Sequence, residues 1–319
     1  MTVPTFADIR AAVARIKPYI HRTPVLTCQS LDRMTDARLF LKCENFQKTG
    51  AFKFRGACNA IFSLTEEEAR RGVATHSSGN HGAAVALAAR QRGIPAHIVM
   101  PRNATAAKQA AVAEYGGRIV CCDPTQAARE AVLARVVEET GAIFIPPYND
   151  ARVIAGQGTA ALELLEDRPD LDLVLAPVGG GGMISGTALA TATLAPTARV
   201  IGVEPAAADD AMRSLQTGII QPSVNPHTIA DGLRTSLGDL TFAMIQQYVE
   251  RIVTVSEAAI VQAMRTVWER MKIVIEPSAA VPVAAVLDKQ VEVAGQRVGI
   301  ILTGGNVDLM HLPWVKTQA

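Results

Sequence analysis

Short apolar runs and longer amphipathic segments take turns along this chain of 319 residues. Runs that read as buried strands are R-L-F-L-K-C-E (38–44), G-V-A-T-H-S (72–77), P-A-H-I-V-M (95–100), G-R-I-V-C-C (117–122) and A-I-F-I-P (142–146). They continue with L-D-L-V-L-A-P-V (171–178), A-R-V-I-G-V-E (198–204), R-I-V-T-V (251–255) and Q-R-V-G-I-I-L-T (296–303). Most precede 10–16 residues of helical spacing, such as A-A-V-A-L-A-A-R-Q-R and A-A-K-Q-A-A-V-A-E-Y. A first helix is expected after Thr5, with Asp8 three places on as its capping partner. Continuous apolar strands alternating with helices predict parallel sheets covered on both faces. The length suggests about two domains, so the fold class is α/β with two parallel-sheet domains.

In open α/β sheets, ligands bind beyond the carboxyl ends of the strands. Three loops at such ends are unusual: S-S-G-N-H-G (77–82), G-G-G-G-M-I-S-G (179–186) and T-G-G-N-V-D (303–308). The run Gly179, Gly180, Gly181 and Gly182 lets backbone N–H groups approach an anion, and the helix that follows adds its positive end. No G-K-[ST] follows, which argues against a nucleoside triphosphatase loop. A dinucleotide fingerprint is a near miss, with Ser185 at its third glycine and Glu204 at its ribose acid. An NAD-dependent dehydrogenase is therefore the remote alternative. Ser77 to Gly82 gathers hydroxyls, an amide and an imidazole, and reads equally well as a helix cap.

Lys53 stands between two phenylalanines in T-G-A-F-K-F-R-G-A (49–57). A snorkelling surface lysine is the plain reading. Desolvation beside aromatic rings would instead favour a neutral, nucleophilic amine. E-P-A-A-A-D-D (204–210) places three carboxylates in seven residues. It suits a hard divalent cation or the acidic first turn of a helix.

Composition narrows the partners. Lys plus Arg number 31 against 30 Asp plus Glu, with no basic cluster, so nucleic acid is not expected. No apolar stretch approaches the ~20 residues of a membrane span, and the N-terminus lacks a signal-peptide pattern. Five cysteines without a C-x-x-C pair read as free thiols in a reducing cytoplasm. A small-molecule enzyme is the expectation.

Seven motifs decide which one. T-G-A-F-K-F-R-G-A, S-S-G-N-H-G, V-G-G-G-G-M, E-P-A-A-A-D-D, T-I-A-D-G-L, I-E-P-S-A-A and L-T-G-G-N-V-D occur in this order between about residues 20 and 308. Together they resemble the serine/threonine dehydratase and serine racemase group, fold-type II (tryptophan synthase β-like) enzymes of pyridoxal 5'-phosphate. The resemblance implies a large cofactor domain at 1–71 and 149–319, a small mobile domain at 72–148, and the cofactor in the cleft between. It makes Lys53 the lysine that forms a Schiff base with the cofactor, although Ala51 replaces the usual serine of the motif. Phe52 would pack on the cofactor, Asn80 would bond its ring hydroxyl and Thr303 would face its ring nitrogen. Gly179 to Gly182 and Met183 would hold its phosphate.

The same resemblance makes Ser78 a second proton-exchanging group. Ser77, Ser78, Asn80, His81, Arg129 and Thr235 become substrate contacts. Glu204, Ala208 and Asp210 would hold a divalent cation (Mg²⁺, Ca²⁺ or Mn²⁺). The implied reaction is dehydration and deamination of L-serine or L-threonine to a 2-oxo acid and ammonia, with accompanying serine racemisation. The alternative is 3-hydroxyaspartate, giving oxaloacetate and ammonia, with Arg129 or Arg234 as the extra cation. A nucleotide site is matched by Lys48, Thr49, Tyr115, Lys272 and Asn306 but departs from the pattern at Ala83 and at Cys28-Gln29-Ser30. The chain ends soon after T-G-G-N-V-D, so no C-terminal regulatory domain is expected. A cytoplasmic homodimer completes the implied picture.

Overall fold

The computed structural model describes residues 2–315. Residue 1 and residues 316–319, assigned above to the large domain, lie outside that set. In chain order the strands are β1 (Val25–Leu26), β2 (Arg38–Cys43), β3 (Val73–His76), β4 (Ala96–Pro101), β5 (Arg118–Cys122) and β6 (Ile143–Phe144). There follow β7 (Leu173–Pro177), β8 (Arg199–Pro205), β9 (Arg251–Val255) and β10 (Arg297–Leu302). They form a six-stranded sheet, β1-β2-β10-β7-β8-β9, and a four-stranded sheet, β5-β4-β3-β6. All pairings are parallel except β1 with β2.

Burial on both faces explains the apolar runs. Leu173 and Leu175 of β7 join one core with Ile260, Met264 and Ala280, from the helices Glu257–Met271 and Pro277–Leu287. Val174 and Ala176, pointing the other way, join Leu164, Ile184 and Ile245 from the helices Ala151–Asp167, Gly182–Leu194 and Asp239–Tyr248. The first helix, Phe6–Ile16, starts as expected: Asp8 Oδ2 accepts from the Thr5 backbone N–H at 2.7 Å. Two strands differ from the sequence reading. β6 is only two residues long, because Pro146 and Pro147 follow it without N–H groups to extend a ladder. β1 is also two residues long, too short for any periodicity to announce it.

The helix Lys53–Phe62 packs against both the helix Asn80–Arg92 and the helix Ala151–Asp167. Its apolar side, Phe54, Ala57 and Ile61, shares a core with Val73, Ile98 and Met100 of the four-stranded sheet. Its polar side holds Arg55, which has no exposed surface. The Arg55 guanidinium grips Glu44 (2.7 and 2.8 Å) and Glu163 (2.8 and 2.7 Å), each through two bonds. Lys42 Nζ reaches Glu163 at 2.6 Å, and Thr23 Oγ1 donates to Glu44 at 2.5 Å.

Two cations and two carboxylates thus cancel away from water. No helix among the described residues is long and apolar enough to cross a membrane. All five cysteines are free.

Removing one member of a buried ion network strands its partners. Glu163→Ala is therefore expected to lower unfolding stability by about 3–5 kcal/mol in a denaturant titration. Breaking the exposed Arg265–Glu269 pair should leave the midpoint almost unchanged.

Candidate active site

β10 and β7 are neighbours in the large sheet, so the loops after them share one edge. Lys53 is tied to the β10 loop through its backbone. Phe52 N–H donates to Thr303 O at 3.0 Å, and Ala51 pairs with Gly304. The Lys53 amine donates to Pro147 O at 2.6 Å and stands 5.2 Å from the centre of the Phe52 ring. Desolvation pulls its pKa down to about 8, with the Glu276 carboxylate opposing.

The glycine run is wholly buried and opens the helix Gly182–Leu194. Two of its positions demand glycine. Gly181 has φ +88°, a left-handed conformation. At Gly180 a Cβ would stand 2.3 Å from the Tyr148 ring, so that ring lies directly on the loop. Pro147 and Tyr148 therefore link the Lys53 amine to the glycines, and nothing in the sequence singled Tyr148 out. Met183 is buried, and its sulfur accepts from Thr187. Thr303 is buried with its hydroxyl unpartnered.

From the other side comes the loop after β3. Asn80 opens the helix Asn80–Arg92, and its amide nitrogen donates to Glu276 at 2.9 and 3.2 Å. Its amide oxygen accepts from Asn306 at 2.9 Å. Glu276 is a site residue that the sequence reading quoted in I-E-P-S-A-A without a role. No serine caps this helix; Gly79 occupies the cap position, and Ser77 Oγ only accepts from the Gly79 N–H at 3.3 Å. Ser78 is half-buried and has no hydrogen-bonded hydroxyl among the described residues.

His81 is buried. Desolvation, the Lys53 charge and His76 push its pKa down to about 3, although its bond to Ile145 O works the other way. The neutral ring must carry its proton on Nε2 to serve that carbonyl at 3.0 Å. Nδ1 is then a lone pair without a partner, which repels a carboxylate.

The family model of pyridoxal-phosphate-dependent enzymes matches residues 16–304. The chain belongs to that family. Over 314 residues it is 54% identical to the beta-hydroxyaspartate dehydratase of Paracoccus denitrificans, covering 98% of this chain and 100% of that one. It is 47% identical to the L-threo-3-hydroxyaspartate ammonia-lyase of Saccharomyces cerevisiae, over 97% of this chain and 95% of the other. The solved structure of maize serine racemase superposes with a TM-score of 0.95 at 50% identity, over 97% of this chain and 95% of that one. The fold is fold-type II, and the dinucleotide reading of the glycine run falls away.

The remaining expected residues of the enzyme lie further out. Arg129, half-buried on the helix Gln126–Thr140, sits by His76 and Cys122 at the carboxyl ends of β3 and β5, and its Nε is buried without a partner. Arg234 is exposed and donates to Thr228 O, and Thr235 beside it is exposed. Glu204, near the end of β8, and Ala208 and Asp210, which follow that strand, are all buried. Glu204 accepts from the N–H groups of Ala211 (3.1 Å) and Met212 (2.8 Å), which caps the helix Asp210–Thr217. Both Asp210 oxygens are buried without a donor in hydrogen-bond geometry; the Ser223 hydroxyl faces Asp210 but does not close a bond.

Gly180→Ala forces the Tyr148 ring off the loop and is expected to lower stability by about 1–3 kcal/mol. Thermal unfolding checks this, and Gly93→Ala, where an added Cβ meets nothing within 4 Å, isolates the cost of left-handed strain (φ +75°), which Gly180 does not carry.

Proposed function

We propose that the enzyme dehydrates and deaminates a small hydroxy amino acid to a 2-oxo acid and ammonia, with 3-hydroxyaspartate as the favoured substrate. The observation that carries the reaction class is a desolvated lysine amine with a pKa near 8, linked through Pro147 and Tyr148 to a glycine-lined helix start and through the Phe52 N–H to Thr303, whose hydroxyl is unpartnered. These groups fit pyridoxal phosphate: Lys53 to hold its aldehyde carbon, Gly179 to Gly182 with Met183 for its phosphate, Thr303 for its ring nitrogen, Asn80 for its ring hydroxyl and Phe52 beside it. When bound, the cofactor supplies an electron sink for the bond broken at Cα.

Lys53 Nζ would take the substrate's Cα proton as general base. The buried Thr303 hydroxyl would serve the ring nitrogen as a neutral hydrogen-bond partner, without the charge that a carboxylate would bring. The N–H groups at the start of the helix Asn80–Arg92 receive the substrate carboxylate, with the Ser77 hydroxyl nearby. Ser78 is the second proton-exchanging group that racemisation requires.

A substrate with two carboxylates needs another cation. Arg129 has a buried, unpartnered Nε, whereas Arg234 is engaged with Thr228 O. The likeness to a beta-hydroxyaspartate dehydratase and to an L-threo-3-hydroxyaspartate ammonia-lyase supports the same substrate. The second reading is L-serine or L-threonine with racemisation, supported by the likeness to serine racemase and by the free Ser78 hydroxyl.

Ammonia release is to be measured for L-serine, L-threonine, D-serine and the 3-hydroxyaspartate isomers. One hydroxyaspartate isomer should be preferred. Arg129→Met should then cut its kcat/KM by about 10-fold to 100-fold, the worth of a charged hydrogen bond, while sparing L-serine. A preference for serine or threonine would establish the second reading. Equal losses on both substrates would remove Arg129 from the distal carboxylate.

Glu204 and Asp210, with the Ala208 carbonyl, are our candidate ligands for Mg²⁺, Ca²⁺ or Mn²⁺. Among the described residues no three His, Cys, Asp or Glu side chains converge, so backbone oxygens must complete the shell. Two buried carboxylates without a cation are costly; burial pushes Asp210 up to about 6 and Glu204 well above its usual range. Mg²⁺ added to chelator-treated protein should raise its Tm, and Asp210→Asn should abolish that rise. We further propose a mobile small domain at 72–148 on a large one at 1–71 and 149–319, closing over the site. A cytoplasmic homodimer is the proposed setting, and the five free thiols support the compartment.

A further inference from the structure

Glu276 has no part in the scheme above, yet its charge acts directly on Lys53. It precedes the helix Pro277–Leu287, and its backbone N–H donates to Gly304 O at 3.0 Å. Its carboxylate lies so close to Gly304 that a Cβ there would stand 2.7 Å from Oε1. Only 4% of the residue is exposed, so the carboxylate depends on protein donors.

Its principal donor is Asn80, and the geometry of that contact has a direction. Asn80 Nδ2 sits 2.9 and 3.2 Å from the two Glu276 oxygens, while Oδ1 receives Asn306 Nδ2 at 2.9 Å. Asn306 is itself held by Thr49 O at 2.7 Å. The amide therefore has an acceptor at its donor end and a donor at its acceptor end. Turning it over would set oxygen against carboxylate oxygen and nitrogen against nitrogen, so both bonds would be lost. An amide nitrogen carries two hydrogens, and a single acceptor group leaves one of them for the site.

We propose that Glu276 is a positioning residue: in its ionised form it locks the Asn80 amide with nitrogen, not oxygen, toward the cofactor's ring hydroxyl. This rests on the cofactor reading given above and assigns to Glu276 the role of setting that contact. A protonated Glu276 has an O–H that serves an amide oxygen as well as its other oxygen serves an amide nitrogen, so the lock depends on its charge.

Five elements face the carboxyl group. Lys53 and Asn80 come from the starts of their helices, the Asn306 N–H from the β10 loop, Asp231 from the turn Asp231–Leu233 and Lys108 from the helix Ala106–Glu114. Burial pushes the Glu276 pKa up to about 7; Asp231 adds to this, while Asn80, the Asn306 N–H and Lys108 oppose it. Both ends of the amide are therefore held above pH 7; as pH falls through that value the Glu276 end loosens and the Asn306 contact alone remains.

The test uses holoenzyme and its visible absorption band, titrated with acid, alongside kcat and KM. Wild type should show a spectral transition near pH 7. Glu276→Gln keeps an acceptor oxygen but no titrating charge. It should keep the cofactor, lose the transition and drop kcat by about 10-fold, the size of effect seen for partners that orient a site residue. Glu276→Asp should restore a transition. Asn306→Ala, which removes the other half of the lock, should depress kcat at every pH, and it keeps the idea testable where a Glu276 variant does not fold. A Glu276→Gln enzyme with the wild-type transition, or an Asn306→Ala enzyme with wild-type kcat, overturns the proposal. Wild-type protein that binds no pyridoxal phosphate overturns the cofactor reading as well, so the two failures are distinct.

Discussion

Two residues after Lys53, Arg55 is clamped between Glu44 and Glu163 with no access to water. A buried guanidinium tolerates no missing partner, so three elements must meet in one register: the end of β2, the helix Lys53–Phe62 and the helix Ala151–Asp167. That requirement sets where the helix carrying Lys53 begins. Its apolar side then meets the four-stranded sheet, and its first turn meets the loop after β10. The lysine stands at the junction of both sheets because the charges beneath it leave the helix no other seat.

Above this anchor, the site carries little net charge. Lys53 is pulled toward neutrality, Glu276 is pushed the same way from the acidic side, and His81 is held neutral by burial. Each shift has desolvation as its largest cause. Such a pocket accepts a zwitterionic amino acid without first expelling a counter-ion. Arg129, beside His76 and Cys122, keeps a buried Nε without a partner.

The sheets were legible because β2, β7, β8 and β10 bury both faces, and continuous apolar runs record that directly. The glycine and S-S-G-N-H-G loops were legible because special backbone and helix starts need particular residues. Glu276 was not, since one acid before an apolar helix looks like an ordinary N-terminal residue; its meaning comes from Asn80, 196 positions away. Arg55 had the same difficulty, with Glu163 lying 108 positions on. Tyr148 follows two prolines and matches no local pattern; only its contact with Gly180 marks it. His81 came from the same loop motif, and what the motif did not show is that its ring is engaged with Ile145 O. These pairings are long-range, and periodicity reports only near neighbours.

The most direct test of the account is to reduce the pyridoxal-phosphate-loaded protein with borohydride and locate the adduct by peptide mass. A single pyridoxyl group on the peptide containing Lys53 is the predicted result. An adduct on another lysine, or none on a protein shown to be folded, would contradict the assignment on which the site rests.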